Sequence, residues 1–146
     1  MNVGNPYGEN QACPLAGKAV AQAGELLPQS AITLLATRCH LSLHALRTGR
    51  GSASTVRTLL EVIIVAGVLS ARRFEHVCAK SLRDAELAIT RTVVKGVDVG
   101  HWMLTEDQLR AVSKVVGTFE QQMESPSIGE IEAAFEHAKA IEFIEC

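Results

Sequence analysis

A chain of 146 residues, 47% hydrophobic and 21% charged, is sized and composed for one folded soluble domain. Its formal net charge of −2 gives no whole-chain case for nucleic-acid or membrane affinity. Aromatics are only 4%, so the core must be built from aliphatic side chains, as suits packed helices. The four cysteines (Cys13, Cys39, Cys78 and Cys146) are widely spaced with no Cys-x-x-Cys pair, which predicts reduced thiols and a cytoplasmic protein. No basic start followed by an apolar core marks a secretion signal.

Residues 1–14 hold Gly4, Pro6, Gly8 and Pro14 among polar residues and read as a flexible N-terminal arm; residues 15–146 read as a single helical-bundle domain. Leu15, Ala19, Val20, Ala23, Leu26 and Leu27 form a weak apolar stripe, which Gly17 and Gly24 disfavour as a helix. Pro28 fits the first turn of the next helix, along which Ile32, Leu35, Cys39, Leu43 and Leu46 recur at helical spacing. Gly49 and Gly51 stop it as a left-handed cap would, and Ser52 or Ser54 can cap its successor.

That successor, about 54–70, carries only Arg57 and Glu61 as charges and is apolar on nearly every side. Such a helix belongs inside a protein or a membrane, and the run from Val56 to Leu69 is too short for a bilayer, which needs roughly 20 residues. The β-branched Val62 to Val65 would also suit a buried strand, but the run is too long for one and has no partner. A buried central helix is the expectation.

After a break near residues 71–73, an amphipathic helix is predicted from the stripe Phe74, Val77, Cys78, Leu82, Ala85, Ala88, Ile89 and Val93, ending at Gly96. Residues 96–103 read as a loop carrying the single Trp102. Thr105-Glu106-Asp107-Gln108 and Ser127-Ile128-Gly129-Glu130 are capping boxes, the first beside a Leu104/Leu109 staple. Leu109, Val112, Val116, Phe119 and Met123 stripe one of the helices they open; Ile128, Ile131, Phe135, Ala138 and Ile141 stripe the other. The fold expected is all-α, a compact bundle of five or six helices around the hydrophobic one.

Charge segregates along the chain. Residues 28–95 hold ten bases and four acids, +6; residues 105–146 hold three bases and nine acids, −6. Such a dipole can be paired internally, pair with a second copy or steer a charged partner, and two solvated helix faces are the plain alternative.

Chemistry is sparse. His40 and His44, four apart beside Cys39, could face one ion, but they lack the Glu of the zinc-protease pattern and a placed third ligand, so no metal is expected. Cys39 and Cys78 lie on apolar stripes, where thiols act as small hydrophobes. Paired catalytic carboxylates, a phosphate-cradling glycine loop and a dinucleotide fingerprint are missing, so neither an enzyme nor a cofactor is expected. Arg47, Arg50 and Arg57 could form a phosphate-binding edge, with Arg72 and Arg73 at the far end of the central helix, yet the helix after the glycine turn is the most apolar in the chain and unlike a recognition helix. His101, Trp102 and Met103 would anchor a protein partner, since Trp and Arg dominate interface hot spots; alternatively Trp102 plugs the bundle end.

Leu43-x-x-Leu46-Arg47-x-Gly49-x-Gly51, the central apolar helix, Gly100-x-Trp102-x-Leu104-Thr105-x-x-x-Leu109, Gln121, Ala133 and Ala134 together resemble a family of small helical proteins of proteobacteria, their plasmids and prophages, often labelled Fis-family regulators. That label implies a C-terminal DNA-binding helix-turn-helix, from which this chain departs because its last helices are acidic. The expectation is a protein-binding module, plausibly a homodimer, acting as a mobile-element regulator or inhibitor of a host complex such as a defence system. The alternative is a DNA-binding transcriptional regulator using the Arg47, Arg50 and Arg57 edge.

Overall fold

The computed structural model describes residues 24–72 and 76–145, with side chains through Ile141. The expected N-terminal arm, the stripe residues Leu15, Ala19, Val20 and Ala23, and Cys13, Arg73, Phe74 and Cys146 lie outside the described residues.

Among the described residues five helices make an all-α bundle: α1 (Gln29–Arg47), α2 (Ala53–Ala71), α3 (Ala79–Val99), α4 (Glu106–Gln122) and α5 (Ile128–Glu145). Helix α2 packs against each of the other four, which makes it the centre the sequence predicts. Its buried residues include Val56, Leu59, Val62, Ile63, Ala66 and Leu69, all facing inward at helical spacing. Near the α2 C-terminus the buried Gln122 amide of α4 donates to Ala66 O at 3.1 Å and Ser70 Oγ at 3.2 Å. Ser70 Oγ also accepts from Val77 N at 2.9 Å, so one hydroxyl ties together the ends of α2 and α4 and the approach to α3. At the opposite end Leu104 N donates to Leu46 O at 3.0 Å, joining the start of α4 to the end of α1. Helices α2 and α4 therefore run parallel, and α1 and α3 run against them.

The caps follow local chemistry. Thr105 Oγ1 accepts from Gln108 N while Gln108 Oε1 accepts from Thr105 N, and Ser127 and Glu130 make the same reciprocal pair. Thr105→Ala removes one such acceptor and is expected to cost about 1 kcal/mol, read as a lower urea midpoint at unchanged slope. An unchanged midpoint would mean that this cap contributes nothing. Gly49 adopts φ +78°, the left-handed stop foreseen from its position after α1.

Three expectations are corrected. Helix α3 runs through Gly96 to Val99, and Gly100, at φ +71°, is the residue that ends it; Gly96 is buried inside the helix. Cys78 is the exposed N-cap of α3 and no part of an apolar stripe. At the end of the 15–27 stripe, which the sequence reading disfavoured as a helix, Leu26 forms an isolated bridge with Ser127, leaving Leu27 buried and Leu26 exposed. Finally, α2 has 19 residues and a mean hydropathy of 1.6, long and apolar enough by those measures to cross a membrane, yet only 39% of that stretch is buried. The central helix has a second, open apolar face.

Candidate functional site

That open face is the floor of a groove of about 910 Å³ between α3 and α5. Ala53, Arg57, Leu60, Ile64, Gly67 and Ala71 lie along it, spaced alternately by four and three residues. This is the seam spacing of a helix that expects another helix against it. Leu82, Glu86, Thr90, Val93 and Val97 of α3, at three- and four-residue steps, form one wall together with Ile89, and His137 and Ile141 of α5 form the other. A helix apolar all round thus has two apolar seams: one meets the core, and the other is uncovered by any described element. The lips carry one base, Arg57, and one acid, Glu86, with His137 opposite.

Trp102 closes the groove at the α2 N-terminal end. Its ring lies flat against Gly96, where an added Cβ would come well under 3.0 Å from three ring carbons. Only glycine lets the indole seat there. Half-buried Trp102 therefore plugs the bundle end and also forms part of the groove wall. His101 and Met103, both exposed, flank it over the α1–α2 turn: a Cβ on Gly49 would meet Met103 Sδ at 3.4 Å and His101 Cε1 at 3.8 Å.

The structure gathers Arg47, Arg50, His101, Trp102 and Met103 at one end of the bundle, with Arg57 on the groove lip one turn into α2. Arg72 caps the far end of α2, fifteen residues and roughly 22 Å from Arg57. Arg72 therefore stands apart from Arg47, Arg50 and Arg57, at the other end of the central helix. Sequence reasoning named the loop aromatic and the arginines but missed the groove. The signal was present: the residues of α2 divide into two seams, and only one was assigned a partner.

Other candidate groups are placed as follows. His40 Nε2 lies 2.6 Å from Glu120 Oε2 on α4, a partly exposed contact of a kind that contributes little. Among the described residues no three His, Cys, Asp or Glu side chains converge as metal ligands. Burial pushes the Cys39 thiol up to about 12, with Glu120 acting in the same direction, so it stays protonated at neutral pH. Cys78 has its pKa lowered, chiefly by hydrogen bonding with the Ser81 side chain and backbone; Sγ and Oγ are 3.2 Å apart.

No protein-family model, no curated protein and no solved structure matches the chain.

Proposed function

We propose that this chain is a non-enzymatic protein-binding module that receives an apolar helical segment in the groove along α2. One observation carries the reading: a five-turn apolar seam, floored by Leu60, Ile64 and Gly67, lies open between two walls that are themselves mostly apolar. Helix-in-groove recognition uses anchors at this spacing. Trp102 at the groove end supplies the rigid aromatic contact that interface hot spots favour. The resemblance to plasmid and prophage proteins supports a role as a cytoplasmic regulator or inhibitor of a host complex, such as a defence system, with a homodimer as one form of the module. That part of the reading is analogy.

A charged side chain in the middle of the floor tests it. Ile64 is only half-buried, so Ile64→Glu is expected to leave the helical content intact while removing groove-dependent partners from affinity capture in the source cell, compared with wild type by mass spectrometry. Identical partner sets for both proteins would overturn the reading. So would retention of duplex DNA alone with a steeply salt-dependent affinity, the behaviour of the alternative built on Arg47 and Arg50.

A further inference from the structure

We propose that the helix filling the groove along α2 is α3 of a second copy of this chain, a step that rests on the reading of the groove as a helix seat. Each copy places its α3 in the groove of the other, about a two-fold axis parallel to the helices.

Helix α3 carries an apolar seam that no described element covers. Ala85, Ala88, Ile89 and Thr92 close its core side. On its outer side Leu87, Val94 and Val97 are 49%, 55% and 70% exposed. With Arg83 and Thr90 these three form a line at steps of four, three, four and three residues, where an unpartnered surface helix is normally polar. Thr90 and Val97 line the groove as well, so the seam continues the groove wall over the top of α3. An open seat for a helix thus adjoins a helix with an open seam.

The shape permits each to satisfy the other. In cross-section this face reads ridge (α3), valley (α2), ridge (α5). Two such faces related by an axis parallel to the helices, passing between the two copies of α3, interlock ridge in valley. An axis perpendicular to the helices would instead set α3 on α3 and leave both valleys empty. The seat is made twice, each about 27 Å long and one helix diameter, about 11 Å, wide. That gives about 1,200 Å² in total, the lower edge of a stable interface.

Rotation about such an axis moves nothing along it, so the visiting α3 lies level with the resident one. The Leu82 δ-carbons are 3.5 and 3.9 Å from a Cβ built on Gly67, and α2 and α3 are antiparallel. Counting from that contact, Leu87 of the second copy falls between Leu60 and Ile64, and its Arg83 falls beside Gly67, which has no side chain to oppose it. Arg83 then stands about one turn from Glu86 of the resident α3, the only acid among the groove residues described. The same exchange occurs on the other side of the axis. The α5 wall belongs to the −6 part of the chain and the visiting helix to the +6 part, so the wider field favours the same pairing. Thr90 and Val97 face their own counterparts across the axis.

Sedimentation velocity on the full chain is expected to show a dimer that dissociates at micromolar concentration, as suits an interface of this size. Leu87→Glu combined with Val94→Glu, both at exposed positions, should keep the helical content and raise the dissociation constant about a hundredfold or more. Arg83→Glu should weaken the dimer about tenfold by setting two acids together, and adding Glu86→Arg should restore most of the loss. Thr90→Cys and Val97→Cys, tested separately under oxidised glutathione, should each link two chains through the substituted position, while Lys95→Cys on the far flank of α3 should not. A chain that stays monomeric at every concentration, or a dimer that survives Leu87→Glu with Val94→Glu, would overturn the proposal. So would a link at only one of positions 90 and 97, the mark of antiparallel α3 helices. The two readings fail separately. If the wild-type chain is monomeric while Ile64→Glu still loses its captured partners, the groove serves another protein and only the self-pairing fails. If the dimer behaves as expected while Ile64→Glu captures the same partners as wild type, the groove serves self-assembly and the wider binding function fails.

Discussion

Phe119→Ala is expected to destabilise the fold by about 3–5 kcal/mol, the usual cost of removing a buried phenylalanine. Phe119 has no exposed surface and is the largest of the fully buried side chains. It sits on α4 with its ring edge-to-face against Phe135 of α5, centroids 6.2 Å apart and planes at 84°. Among the described helices α5 packs its backbone only against α2, so this ring pair is a principal side-chain link from α5 to the rest of the bundle. The melting temperature should fall by on the order of 10 °C. A double-mutant cycle with Phe135→Leu should return a coupling of about 1 kcal/mol, the range for edge-to-face pairs. A loss below about 1 kcal/mol for Phe119→Ala would mean that α4 and α5 do not share a packed core.

The second large effect is at Gly96. Gly96→Val is expected to cost about 3 kcal/mol, the upper part of the usual range for overpacking. Even one added carbon collides with the Trp102 ring, and valine adds three. The ring must leave its seat, which strains the 101–104 segment that joins α4 to α1 through Leu104 and Leu46. The expected signature is a red-shifted, more quenchable Trp102 emission together with the lower melting temperature. Gly117 is the natural comparison, since nothing lies within 4 Å of a Cβ built there on exposed α4. Gly117→Ala should stabilise by roughly 0.5–1 kcal/mol through helix propensity alone. Unchanged emission in Gly96→Val would refute the contact.

The contrast between these glycines shows where sequence reading stops. In one dimension Gly96 and Gly117 are both breaks in an amphipathic pattern, and ending a helix at Gly96 is the reasonable inference. What separates them is an indole six residues downstream of Gly96, folded back by the turn at Gly100. Cys78 illustrates the same limit. Its spacing fits the apolar stripe, yet Cys78 precedes the first turn of α3, and a residue outside the helix does not share the helix's face.

Other features were legible because their causes are local. Both capping boxes, the left-handed stop after α1 and the inward stripes of α1 and α4 rest on residues within four positions of one another, where backbone geometry dictates what can touch. The charge division between residues 28–95 and 105–146 was equally plain. The candidate site was half legible. Trp102, Arg57 and the apolar character of α2 could be read directly, but the groove could not.

What the amino-acid order determined by itself was an all-α bundle, the capped starts of α2, α4 and α5, and a central helix too apolar to face water freely, because each depends on short-range hydrogen bonding and on 3.6-residue periodicity. What the tertiary structure alone decided was which seam of α2 is covered. Four described helices close the side of Leu59, Ile63, Ala66 and Leu69, while α3 and α5 stand apart over Leu60, Ile64 and Gly67. Hydrophobic burial is non-directional, so an apolar seam states only that it needs a cover. The relative placement of helices distant in sequence settles which one receives it.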